Sequence, residues 1–179
     1  ISQRVPIISR ACFSVIYRPD PYENHIDLRS DTVTKPTKKM REAMKKCPVG
    51  DDHYKGDPTV NLLQEEIAKL FGKEASLFVA TGTMGNLMCN MVHVREMGDA
   101  AIYGDQAHIY NLQRGGIASV AGIMPIVLEN EEDGTIKLEN LEKAILPEWQ
   151  LIPKLKLINL ENTHNSCQGA VIKQDYVKQ

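Results

Sequence analysis

Apolar positions along the chain fall into short unbroken runs and stripes at helical spacing. Thr34-Lys35-Pro36-Thr37 reads as a turn, and Lys38 to Lys46 as a short helix. Asp57-Pro58-Thr59 reads as a helix start, with Asp57 as cap and Pro58 at the first helical position. Leu63, Ile67, Leu70 and Phe71 then form one apolar stripe, and Gly72 ends it. Ser76 to Val79 is a short apolar run, predicted as a buried strand. Thr81-Gly82-Thr83 breaks that run, and a helix is predicted from about Met84 to Met97, stopped by Gly98. Further strands are predicted at Ala100–Tyr103, Ile123–Leu128 and Lys156–Leu160. A helix from about Leu138 to Ile145 separates the last two. Alternating strand and helix with short connections predicts βαβ units: an α/β fold, its sheet mostly parallel, with helices on both faces.

Composition narrows the function classes. The 179 residues correspond to about one domain. Hydrophobic residues make up 42% and charged residues 25%, enough to bury a core. There are 21 basic and 23 acidic residues, so the basic face expected of a nucleic-acid partner is missing, as is a polybasic membrane surface. No run reaches the roughly 18 apolar residues that span a bilayer. Cys12, Cys47, Cys89 and Cys167 lie far apart, which points to a reducing compartment, with cytoplasm the default. Residues 1–25 carry Arg4, Arg10 and Arg18 and no acid before Asp20. They read as a leader or disordered extension, with a mitochondrial presequence as the alternative. Ile1 in place of Met, and a polar end at Gln179, read as a piece of something longer.

Sheets of this kind bind ligands beyond the carboxyl ends of their strands, so the residues there hold the chemistry. Thr81-Gly82-Thr83 opens a helix whose free N–H groups and dipole suit a phosphate. Gly82 allows close approach, and the same residues also suit a plain helix cap. The dinucleotide and Walker fingerprints are absent. Gln106-Ala107-His108 places an imidazole at a second strand end, able to stack on a ligand or move protons. Leu160-Glu161-Asn162-Thr163-His164-Asn165 lies at a third. Glu161, His164 and Asn165 suit acid/base work, orienting hydrogen bonds or metal ligation, and no second histidine stands at zinc spacing. Asp27-Leu28-Arg29-Ser30-Asp31 reads as an arm into a site or as a capped turn.

Taken together, these strings resemble the threonine aldolases, pyridoxal-phosphate (PLP) enzymes of the aspartate-aminotransferase-like fold. The strings are D-L-R-S-D-T-V-T-K-P-T from Asp27, V-G-D-D-x-Y from Val49, D-P-T-V-N from Asp57 and L-F-V-x-T-G-T-M-x-N from Leu77. A-H-I from Ala107, Gly115-Gly116 and L-E-N-T-H-N from Leu160 complete the set, in family order. The resemblance implies a fold type I large domain, of which residues 26–179 are the N-terminal part. It implies PLP as cofactor, with Gly82 and Thr83 on its phosphate and His108 stacked on its ring as a catalytic group. Ser30 is implied as a contact of the substrate carboxylate, and Asn165 as a further substrate-binding residue. No metal is implied. The implied reaction is retro-aldol cleavage of threonine or allo-threonine to glycine and acetaldehyde, in a homodimer or homotetramer.

The family's lysine and ring-nitrogen aspartate lie downstream of L-E-N-T-H-N, beyond Gln179. The 179 residues are therefore expected to be inactive alone. The chain departs from the pattern at Lys55-Gly56, where glycine and an acid are usual. Gln113 stands where an acid is usual, five residues after His108, and Leu151 where a histidine is common. Ser166 to Ala170 replaces a segment with paired glycines. These departures support an alternative: a non-catalytic homologue acting as a binding or interaction protein.

Overall fold

The computed structural model describes residues 25–145 and 151–179, so the expected leader lies outside the described residues but for its last position. By contacts the chain divides into two units, 1–42 and 43–179.

In the first unit, Ser30 caps a single 3-10 turn, Asp31–Val33. Its hydroxyl accepts from the Thr32 N–H at 3.3 Å and from the Thr32 hydroxyl at 3.0 Å. Asp27 is gripped by Arg29 through both carboxylate oxygens. That grip holds its carboxyl down at about 2. Helix α1, Lys38–Lys46, matches the predicted range and crosses the division between the units.

In the second unit, a 3-10 turn at Asp52–Tyr54 leads into α2, Pro58–Phe71. Asp57 caps α2 as predicted, one oxygen accepting from the N–H groups of Thr59 and Val60 at 2.9 Å each. Its other oxygen accepts from the Gly50 N–H at 3.0 Å. Gly72 ends α2 in the left-handed conformation. Helix α3 spans Gly82–His93, starting and ending earlier than predicted because Thr81 supplies the cap and Val94 turns extended.

Three strands follow, β1 (Ala100–Gly104), β2 (Met124–Leu128) and β3 (Leu155–Ile158), all parallel, in the order β2-β1-β3. Between them lie α4 (His108–Asn111), α5 (Gly116–Ser119) and α6 (Leu138–Ala144), and α7 (Gln174–Val177) comes last. Ala100 pairs with Met124 on one side and Leu155 on the other. Pro125 has no N–H to donate, which an outer strand tolerates.

The central strand sets the core. Ala101 and Tyr103 point to one face and pack with Val94, Ile117 and Ile123. Ile102 points to the other and packs with Ile136 and Leu141. All five residues of β1 are buried. The expected α/β architecture, a parallel sheet with helices on both faces, is what the chain forms.

Two expectations are corrected. Ser76–Val79 is not a strand. No sheet neighbour stands beside it among the described residues, and Gln64 of α2 takes its polar groups instead. The Gln64 side-chain oxygen accepts from the Phe78 N–H at 2.9 Å, and its carbonyl accepts from the Ser76 hydroxyl at 2.7 Å. The α2 stripe is also left open: Leu63, Ile67, Leu70 and Phe71 all stay exposed, and Ala68 is the buried residue of that helix.

Candidate functional site

The three strands end side by side, and each opens into polar chain. Beyond β1, the segment Asp105-Gln106-Ala107 leads into α4, whose first residue is His108. This segment is clamped from both flanking strands. From the β2 side, the Asn130 side-chain oxygen accepts from the Gln106 N–H at 3.0 Å. Its amide donates to the Gly134 carbonyl at 3.1 Å, and its backbone N–H donates to the Asp105 carboxylate at 2.8 Å. Gly104 fits here because any Cβ would run into the Asn130 amide.

From the β3 side comes Glu161. One carboxylate oxygen accepts from the His108 N–H at 2.7 Å, and the other from the Asn165 N–H at 2.9 Å. No local side chain caps α4. The His108 ring meets Gln113, whose amide nitrogen lies 3.3 Å from Nδ1. His108 opens on a cavity of about 360 Å³ shared with Asn86, Asn159, Glu161 and Asn162.

Asn86, one turn into α3 from Thr83, brings that helix to this cavity. At the start of α3, the Thr81 hydroxyl accepts from the Met84 N–H at 3.0 Å, and the Gly85 N–H bonds the Thr81 carbonyl. That leaves the N–H groups of Gly82 and Thr83 without helical acceptors. A Cβ built on Gly82 meets nothing within 4 Å, so the approach to these groups is open. The donor pair fits a phosphate. Gly82 itself borders a separate cavity, with α2 and residues 76–81.

A buried polar chain ties α3 to the sheet. The Tyr103 hydroxyl donates to the Asn90 side-chain oxygen at 2.8 Å. Asn90 donates to the Asn159 side-chain oxygen at 3.2 Å and to the Asn86 carbonyl at 2.9 Å. Burial pushes the Tyr103 phenol up to about 12.

The predicted site residues are thus placed unequally. His108 and Glu161 share one cavity with Asn86 of α3, whereas Gly82, at the start of that helix, borders the other cavity. Asn165 joins through its backbone N–H, with the residue itself exposed. Ser30 lies in the first unit, as the cap described above. His164 is fully buried, and neither ring nitrogen has a hydrogen-bond partner among the described residues. Its Nδ1 lies 4.0 Å from Glu161. Among the described residues, no cluster of three or more His, Cys, Asp or Glu side chains is placed to hold a metal. Lys154 and Lys156 line a larger, mostly apolar cavity along β3, about 670 Å³, which does not include His108. Leu151 is exposed.

Sequence reasoning missed Asn130. The rule that singled out the other strand ends reaches it as well, two residues past β2. It also missed the Tyr103–Asn90–Asn159 chain, which has no local signal.

The family model for beta-eliminating lyases matches residues 27–179. The chain is 48% identical over 155 residues to low-specificity L-threonine aldolase 1 of Arabidopsis thaliana, covering 86% of this chain and 43% of that protein. It is 46% identical over 154 residues to the low specificity L-threonine aldolase of Escherichia coli (strain K12), covering 86% and 45%. It is 38% identical over 172 residues to the probable low-specificity L-threonine aldolase of Schizosaccharomyces pombe, covering 94% and 44%. The chain spans less than half the length of these curated relatives.

Proposed function

This chain belongs to the beta-eliminating lyase family, and on that premise we propose that the intact protein is a PLP-dependent carbon–carbon lyase acting on threonine or allo-threonine. The products are glycine and acetaldehyde. The observation that carries the reading is His108, held at the end of the central strand in a cavity shared with the helix that begins Thr81-Gly82-Thr83.

When bound, PLP supplies an electron sink for the charge left on Cα as the Cα–Cβ bond breaks. The N–H groups of Gly82 and Thr83, with the Thr83 hydroxyl, would receive its phosphate, and His108 would contact its ring. Gln113 occupies Nδ1 of that histidine, so Nε2 is the nitrogen left to hold or move a proton. Ser30 and Asn165 are assigned to the amino-acid substrate on their motifs. The lysine that anchors the cofactor is assigned downstream of L-E-N-T-H-N on the family's motif order, and none of Lys154, Lys156 and Lys173 has its local context. We assign a homodimer or homotetramer in the cytoplasm. No helix among the described residues is long and apolar enough to cross a membrane.

One observation favours the alternative of a non-catalytic homologue: the partner of His108 is the neutral amide of Gln113 rather than an acid. A single assay separates the two readings. The intact protein is mixed with PLP, and glycine release from allo-threonine is followed together with the visible absorbance of protein-bound cofactor. Release of glycine supports the lyase; bound cofactor without glycine supports the binding protein.

A further inference from the structure

We propose that Glu161 is the positioning residue for His108: a bridging carboxylate that fixes where the imidazole stands. The inference rests on the lyase reading for its consequence in catalysis, but not for its geometry.

The chain at Glu161 leaves β3, and His108 follows β1. The two residues are 53 positions apart. Helix α4 begins at His108 with Ala107 before it, a residue with no side-chain acceptor. Its first N–H therefore depends on an acceptor from elsewhere. Glu161 supplies one at 2.7 Å, at the short end of the range for a bond to a carboxylate. The second oxygen takes the Asn165 N–H at 2.9 Å, so both oxygens are committed to backbone groups. That argues against Glu161 as an acid or base.

The direction of the bond matters. The His108 N–H shares its residue with the imidazole, so a shift of this nitrogen carries the ring with it. Asn130 grips the other end of the same segment through Gln106. Glu161 and Asn130 together leave the β1–α4 connection little freedom, and Glu161 is the one that holds the histidine itself. His164, 4.0 Å from the same carboxylate, is too far for a third bond.

The test uses the intact protein and Glu161→Gln, which keeps the shape but turns one of the two acceptors into a donor facing an N–H group. Amide hydrogen exchange at His108 and Asn165 and the imidazole carbon–proton resonances of all histidines are recorded without cofactor. Exchange at His108 or Asn165 is expected to rise at least tenfold, and the His108 ring resonance to move while those of His53 and His93 stay. With PLP and allo-threonine, kcat is expected to fall roughly tenfold to a hundredfold, the scale of an ångström-sized misplacement. Glu161→Asp is the second variant. One methylene shorter, it reaches one amide and not both, so only one of the two should keep its slow exchange. Unchanged exchange at both amides in Glu161→Gln overturns the proposal, as does a lost activity with an unmoved His108 resonance. An intact wild-type protein without lyase activity overturns the functional reading alone, and the exchange data still decide the bridge.

Discussion

Replacing Tyr103 by phenylalanine isolates the buried polar chain between α3 and the sheet. Tyr103 is fully buried and Asn90 is 2% exposed, so water cannot replace what is lost. The substitution keeps the ring and removes the hydroxyl that donates to Asn90 at 2.8 Å. Asn90 keeps its bonds to Asn86 and Asn159, but its oxygen is left buried without a donor. Such a group costs about 1–3 kcal/mol, and we expect about 2 kcal/mol. Asn90→Leu removes the acceptor of the Tyr103 hydroxyl and the donor to the Asn159 oxygen, and should cost more. The double variant should cost less than the sum by about 1 kcal/mol, because it removes both ends of one bond.

The phenol adds a pH arm. Its value is raised in the fold to about 12, against an ordinary value of about 10 in the unfolded chain. The stability it contributes is complete below pH 10 and is lost as pH rises through 12, up to roughly 3 kcal/mol. Denaturant unfolding of wild type and Tyr103→Phe from pH 8 to 11.5 measures both. Wild type should be more stable at pH 8, with its advantage shrinking above pH 10. Equal stability at pH 8, or a difference that stays flat to pH 11.5, refutes the reasoning.

Three other changes probe separate features. Lys55 stands in the left-handed region at φ 56°, so Lys55→Gly should raise unfolding stability by about 1 kcal/mol in denaturant melts. Gly104→Ala drives a methyl group into the Asn130 amide, so the clamp on the Gln106 segment should open, seen as faster amide exchange at Gln106 and lower glycine release. The Asp57 carboxyl is held below its ordinary range, most by the Val60 N–H and next by the Gly50 N–H. Its stabilising effect is therefore present above about pH 4 and lost as pH falls further. Asp57→Asn should flatten the acid side of the stability curve, measured by thermal melts between pH 2.5 and 6.

What the sequence disclosed divides along physical lines. Local signals fixed α1, the Asp57 cap of α2, its Gly72 stop and the three parallel strands, because capping and apolar runs act over a few residues. Ser76–Val79 failed as a strand because a strand needs a neighbour, and its Phe78 N–H and Ser76 hydroxyl answered to Gln64 instead. Helix α4 was invisible for the same kind of reason: it starts where Glu161, far along the chain, offers an acceptor. At the site, residue types and motif order pointed to His108 and to the Thr81-Gly82-Thr83 turn. They left the job of Glu161 open between proton transfer and orientation, and its hydrogen bonds to the backbone N–H groups of His108 and Asn165 support orientation. The left-handed backbone at Lys55 accounts for why glycine is the usual residue there.

The bond from Glu161 to the His108 N–H also sets an order of assembly. A chain emerging from the ribosome presents β1 and α4 long before residue 161 exists. Closing a loop of 53 residues carries an entropic cost that must be met before the bond returns anything. The histidine therefore reaches its working place late, after β3 has docked. A defect that slows β3 will leave unfinished both the core, which takes Leu155 and Leu157 from that strand, and the proposed site beyond it.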